Sequence, residues 1–254
     1  MRQGAELPAS EHMGQDRTTG ARPSGAAVFA KVMSGLRSLA LCGALVFCGL
    51  ILGLQLVSLR LQELALRAEH EPAAVVSARI DRWLGLCGGH CPASALQAGA
   101  VGKLSCADRA AGQARRVWLE QARDLTERAL SRAPFAAEDW ARLALIRYRL
   151  AGDRWTPAVE RALDQSYEAA PFARTTAAFR TAFILSQWRT AAPPLRRRAL
   201  EELRWLGAID PPLARRLAGE VQDPVAGMAA DLASGRAAAS GSAPAAQGAG
   251  GAAQ

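Results

Sequence analysis

The sequence predicts an all-α protein: one N-terminal transmembrane helix followed by an α-solenoid of stacked helical hairpins. Three observations predict it. Residues Ser38 to Leu59 hold 22 positions without a charge, closed off by Arg37 and Arg60. From about Leu104 onward the pattern is helical, cut by Pro and Gly into short segments, with no alternating β-branched run that would argue a strand. Parts of that region also recur. Glu127-Arg128-Ala129-Leu130 returns as Glu160-Arg161-Ala162-Leu163 after 33 residues, and Ala133-Pro134-Phe135 as Ala170-Pro171-Phe172 after 37. Self-similarity at this period marks arrays of helical hairpins.

Residues 1–34 are polar and mixed in charge, with scattered Gly and Pro, and are expected to form a disordered cytoplasmic tail. Residues 35–69 form the transmembrane helix and its extension. At about 1.5 Å per residue the uncharged stretch reaches about 33 Å, enough for the roughly 30 Å hydrocarbon layer. Leu59, Leu61, Leu64 and Leu66 carry helical character on toward Glu69, and Pro72 ends it. The run exceeds the usual h-region of about 7–15 residues and no small-x-small site follows, which favours an uncleaved anchor. Arg22, Lys31 and Arg37 before the span balance Arg60, Arg67 and Arg79 after it. The positive-inside count is thus nearly tied. The N-terminus is placed in the cytoplasm because a short leading tail and a large exported part is the usual single-span arrangement.

Residues 70–106 predict a short helix (73–86, with Val75, Val76, Ile80, Trp83 and Leu84 inward) and a Cys/Gly loop. Residues 107–234 predict the main helical domain. Its helices run from Cys106 to Arg132, Ala136 to Ala151, Thr156 to Ala169, Ala173 to Thr190, Leu195 to Leu206, Pro212 to Val221 and Val225 to Ala233. In the first of these, Val117, Leu119, Leu125 and Leu130 are the inward candidates. The exported part is expected to fold by itself from about residue 73. Residues 235–254, almost wholly Ala, Gly, Ser and Gln, predict a second disordered tail.

Ala122, Ala129 and Pro134 stand in the register of the second helix of a tetratricopeptide repeat, where small residues let helices approach. Trp140, Leu143 and Ala144 fall where the next first helix carries its Trp, Leu and small residue, and Ala199, Leu203, Leu206 and Pro211 repeat the register. Residues 107–221 therefore resemble a degenerate tetratricopeptide array. Ala144 replaces the usual glycine, Arg147 holds the usual tyrosine position beside Tyr148, and the middle copy carries an extra turn. Over roughly residues 35–220, an anchor, a Trp-x-Arg-Leu-Ala segment (Trp140 to Ala144), an Ala-Pro-Phe turn and a closing Leu203, Leu206, Asp210, Pro211 pattern resemble VpsP-like proteins of bacterial exopolysaccharide gene clusters. That resemblance implies an accessory role in surface-polysaccharide assembly and brings no catalytic residues to carry over; a bacterial inner membrane, a mostly periplasmic chain and envelope proteins as partners are the accompanying expectations.

The net charge of +8 invites a polyanion reading. Only Lys31 and Lys103 are lysines, however, amid abundant Ala, Gly and Pro. GC-rich coding produces that arginine bias without selecting a basic surface, so no nucleic-acid partner is expected. The run Arg196-Arg197-Arg198 fits a solvated helix face, with binding of anionic polymer as the sharper alternative.

Cys87-Gly88-Gly89-His90-Cys91 is the most chemical stretch. A disulfide joining Cys87 to Cys91, or either to Cys106, suits an oxidising compartment. Free thiols, or a metal site that recruits His90, are the alternatives. Cys42 and Cys48 act as small apolar residues in the span. Gly49-x-x-x-Gly53 has the spacing of a close-packing motif and suggests self-association through the membrane helix. With no Ser/His/Asp set, phosphate loop or metal-binding helix, no enzyme and no cofactor are expected. The expected function is a scaffold or adaptor for envelope assembly, with Trp140, Leu143 and Tyr148 in its core or groove and inner-curve arginines for acidic partners. A thiol or metal enzyme using Cys87, His90 and Cys91 is the alternative.

Overall fold

The computed structural model describes residues 25–67 and 71–234, with side chains from residue 41 onward. Among these residues there are ten α-helices, one 3-10 turn and no strand. The chain divides into two compact units, Met1–Ile51 and Leu52–Gln254, and the boundary falls within the first helix.

Helix α1 (Gly25–Arg67) is long and apolar enough from Leu41 on to cross a membrane. In the first unit its Leu41, Leu45, Val46, Phe47 and Leu50 are exposed. The tail expected over 1–34 is corrected in part: Gly25 to Ser34 already belong to α1, an Ala/Val/Phe-containing run with no helix breaker. The expectations for residues 1–24, 68–70 and 235–254 lie outside the described residues.

In the second unit α2 (Ala73–Cys87) follows Pro72 and stops at Gly88, whose φ of +51° suits a residue without Cβ. After the turn Gly88–His90 comes α3 (Ala93–Asp108), in a region expected to be loop. The reason is composition. The buried residues of α3 are mostly small (Ala95, Ala98, Gly99, Ala100, Gly102, Ala107), and its less buried face still carries the apolar Val101 and Leu104, so it shows no amphipathic stripe. The long helix expected from Cys106 to Arg132 is two elements, because the chain reverses at residues 109–111 and Gly112 takes φ +59° to open α4 (Gly112–Arg132). Two expected inward residues, Val75 and Val117, are exposed.

Helix α5 (Ala137–Leu150) places Glu138 and Asp139 in its first turn and Arg147 and Arg149 in its last, matching the helix dipole. Prolines at the first turn open α6 (Pro157–Ala169), α8 (Pro193–Ile209), α9 (Pro211–Gly219) and α10 (Pro224–Ala233), where a missing N–H costs nothing. Helix α7 is Arg174–Ser186. Caps are explicit at the end of the chain: Asp210 accepts from Leu213 N–H, and Asp223 from Val225 and Ala226 N–H.

Three apolar cores follow in chain order. The first joins Val57 and Leu61 of α1 to Val76, Ile80, Leu96, Ala100 and Leu125. The second gathers Leu130, Leu143, Leu163, Phe183, Ile184 and Leu195, and the third Leu185, Leu203, Leu206, Leu217 and Ala230. Helix α4 contributes to the first two cores and α7 and α8 to the last two, so one core passes into the next. Neighbours α3 and α4, α5 and α6, and α7 and α8 pack on each other, and packing also links alternate helices: α5 with α7, α7 with α9, α6 with α8, α8 with α10. The folded unit begins at Leu52, not near residue 73.

Two buried cations tie helices together. Lys103 Nζ donates to Ser77 Oγ at 2.7 Å and pairs with Asp81 Oδ1 at 2.7 Å, joining α3 to α2. Arg180, fully buried in α7, donates to Ser166 O at 2.6 Å, Ser166 Oγ at 3.1 Å and Ala170 O at 3.1 Å, and pairs with Glu202 of α8. Its guanidinium sits 4.1 Å from the Tyr167 ring centre. Burial pushes the Tyr167 hydroxyl far above the ordinary phenol range, so it stays neutral.

Glu202→Leu strands the Arg180 charge, and thermal unfolding of the full chain in detergent should show a loss of about 3–5 kcal/mol, while pairing it with Arg180→Met recovers most of that. Acid should loosen the C-terminal helices first. Arg174 and the Leu213 N–H hold the Asp210 carboxyl below its ordinary value, and the Ala226 N–H and Arg189 do the same for Asp223. A depressed folded pKa gives stabilisation that is complete above the unfolded value of about 3.9 and is lost as pH falls through the lower folded value. Hydrogen exchange below about pH 4 should therefore rise in α9 and α10 before α2 and α3; uniform exchange would contradict this.

Candidate functional site

The first helices of successive hairpins, α3, α5 and α7, run in the same direction. Gln97 Nε2 donates to Asp139 Oδ2 at 2.6 Å, and Thr175 Oγ1 to Glu138 Oε1 at 2.8 Å, which brings the three N-terminal turns together. Along their shared face lies a hollow of about 400 Å³. Val101 and Leu104 of α3, Ala141 and Leu145 of α5, and Phe179 of α7 make its apolar floor. Glu138, Arg142 and Thr175 make its polar end. Asp139, buried beneath, pairs with Arg142 and fixes that guanidinium. Phe179 also borders a second hollow of about 550 Å³ between α7 and the end of α9, where Phe183, Leu217 and Val221 meet Gln187, Gln222, Glu220 and Asp223. The two hollows meet at Phe179 and together make a mostly apolar trough along α3, α5, α7 and α9, with charged side chains at both ends. It suits a peptide or helix with an apolar face and holds no nucleophile–base pair.

Of the two places expected for Trp140, Leu143 and Tyr148, core or groove, they take the core. Leu143 is buried, and Trp140 and Tyr148 are half-buried, in the second core behind the trough. Trp140 Nε1 donates to Pro134 O at 2.8 Å and clamps the turn into α5. Glu138, Ala141, Arg142 and Leu145 form a separate stripe at i, i+3, i+4 and i+7, and that spacing was the available signal for this second face. One arginine, Arg142, lines the hollow between α3, α5 and α7. Of the register residues, Ala122, Ala129, Ala144, Ala199 and Leu206 are buried, Pro134 lies in the turn after α4, and Pro211 opens α9.

Cys87 and Cys91 are joined in a disulfide, with Cα atoms 4.9 Å apart. Arg132, at the end of α4, donates to the carbonyls of Gly89 at 2.6 Å and Cys91 at 2.5 Å and seats the loop. His90 is exposed. Cys106 is buried and free, its thiol 3.3 Å from Ala73 O. Burial raises its pKa, against the pull of Arg109. Among the described residues no group of three or more His, Cys, Asp or Glu gathers as a metal ion would need. Gly49 and Gly53 are each exposed on α1, with open space where a Cβ would stand. In the Arg196-Arg197-Arg198 run, Arg196 lies over the Trp188 ring and Arg198 pairs with Asp164 at 3.1 Å, leaving Arg197 exposed.

Neither a protein-family model, nor a curated protein, nor a solved structure matches the chain.

Maleimide mass labelling should find the Cys87 and Cys91 thiols blocked until reduction, and Cys106 unreactive until the chain is denatured. Prompt labelling of Cys106 in the folded protein would place it at the surface instead.

Proposed function

We propose that this chain is a single-span membrane protein whose helical unit is a scaffold or adaptor for envelope assembly, anchored in a bacterial inner membrane with its bulk in the periplasm. The observation that carries the reading is the trough along α3, α5, α7 and α9, apolar along its floor and charged at both ends. An amphipathic helix of a partner envelope protein fits such a surface, with its apolar anchors over Leu145 and Phe179 and a polar side chain facing Arg142 or Glu138. The packing of α5 with α7 and of α7 with α9, and of α6 with α8 and of α8 with α10, suits a tetratricopeptide-like solenoid and supports that reading. The disulfide at Cys87–Cys91 fits an oxidising compartment and hence an exported helical unit. Exopolysaccharide synthesis or export is the proposed pathway, on the resemblance to VpsP-like proteins. The exposed glycines of α1 leave room for self-association within the bilayer.

Complementation tests the whole reading. Deleting the gene should lower surface polysaccharide, the wild-type chain should restore it, and Leu145→Glu with Phe179→Glu should fail to restore it at normal abundance and helicity. Cys87→Ser with Cys91→Ser should restore it if the chain works by contact. Failure of that last variant in a folded, abundant protein would favour thiol chemistry over a scaffold.

A further inference from the structure

Helix α8 packs on α6, and α10 packs in turn on α8 and α9. The residues that α10 buries are all small: Ala226, Ala230 and Ala233 enter the third core beside Leu203, Leu206 and Leu217. Its bulky residues lie on another face. Val225 is 64% exposed, Met228 69% and Leu232 66%. The spacing i, i+3 and i+7 gathers all three into one stripe.

From α2 onward, large apolar side chains are exposed elsewhere only singly or in pairs: Val75 and Leu86 on α2, Val117 on α4, Phe135 and Phe172 in turns, and Ile209 at the end of α8. Among the described helices after α1, α10 alone exposes three, and its one charged residue is Asp231. The last helix of a stacked array keeps a polar outer face when water covers it. Here that face is apolar. Residues 235–254 contain no Val, Leu, Ile, Met or aromatic residue, so they supply no side chain of matching size to cover it.

We infer that the outer face of α10 pairs two copies of this chain, α10 against α10, about a two-fold axis near Met228. The stripe matches itself in that arrangement. An antiparallel crossing sets Met228 against Met228 of the second copy and Val225 against Leu232 of the second copy, and the symmetry repeats the latter contact. Asp231 lies off the stripe, so like charges do not meet at the crossing. Depletion of charge and enrichment in methionine mark the core of an interface. A foreign partner would find no charged or hydrogen-bonding side chain in the stripe to select it by, whereas a second copy needs none. Three side chains about two-thirds exposed supply less than half of the roughly 800 Å² per partner of a standard interface. The contact is therefore weak between chains free in solution, and confinement of two copies to one membrane strengthens it by raising their effective concentration. That confinement rests on the membrane-anchored reading above.

The test uses the full chain with Cys42→Ala and Cys48→Ala, which silence the exposed thiols of α1, in vesicles of phosphatidylethanolamine and phosphatidylglycerol oxidised with copper phenanthroline. Met228→Cys should give disulfide-linked dimer several-fold above Arg123→Cys on α4 or Arg161→Cys on α6, both exposed positions. A mixture of Val225→Cys and Leu232→Cys chains should link to each other more than either links to itself, and adding Met228→Glu to both should cut that yield several-fold. Dimer at Met228→Cys no higher than at Arg161→Cys, in chains that stay with the vesicles, would overturn the inference and leave the anchor standing. Links from Met228→Cys to Leu145→Cys of another copy, without pairs of Met228→Cys, would overturn it in favour of α10 entering a neighbour's trough. The expected links in chains recovered free of the vesicles would uphold the pairing and remove the anchor.

Discussion

One helix has to satisfy two environments, and the rest of the second unit is arranged around that constraint. Leu54, Val57, Leu61 and Leu64 of α1 turn toward the first core, where Val57 and Leu61 meet α2 and α3. Leu52, Leu56 and Leu59 point away from it. The burial of apolar area stabilises the inward stripe at about 25 cal/mol per Å², and lipid would do the same for the outward one. Close packing of α2 on α3, beside the foot of α1, depends on small residues in α3. A Cβ at Gly102 would meet Ile80 Cδ1 at 2.5 Å, and one at Gly99 would meet Leu84 Cδ1 at 3.2 Å. Glycine at these places reflects the short distance between helices, not a turn.

Further along, cohesion is less a matter of one core than of cores that overlap. Helix α7 serves two of them: Phe183 and Ile184 face the second, Ala177 and Leu185 the third. Arg180 sits between those faces and satisfies three carbonyl or hydroxyl groups while pairing with Glu202. A buried cation adds little net stability over an apolar replacement, but leaves few ways to pack its neighbours. The trough needs that definition, because its floor is made of residues from separate helices.

Much of the fold was legible in the sequence because its signals were periodic. The uncharged run of α1, the prolines that open α6, α8, α9 and α10, and the stripes of α5 and α8 each name an element. Helix α3 escaped because its part-exposed face carries Val101 and Leu104, as apolar as the small residues it buries, which removes the contrast that periodicity measures; Ala95, Gly99 and Gly102 are better read as marks of close approach. The reversal before Gly112 was hidden by alanines that continue a helix as readily as they end one. The site was less legible. Trp140 and Leu143 stood out by their repeat register, which left core or groove open, and they belong to the core, while the accessible face belongs to the separate stripe of Glu138, Ala141, Arg142 and Leu145. The Cys87–Cys91 pairing could be framed as an alternative but not chosen, since spacing alone does not distinguish it from a pairing with Cys106.

The burial of Val57 and Leu61 has a consequence for how this molecule could be cut or rebuilt. A protease that severed α1 beyond Leu61 would shed a body missing part of its interior, whereas a nick ahead of Leu52 would free an intact one. The span is thus no interchangeable cassette. A chimera that borrowed a foreign anchor would have to keep the native helix from Leu54 onward, and the splice would belong several residues inside the greasy segment, not at its polar border.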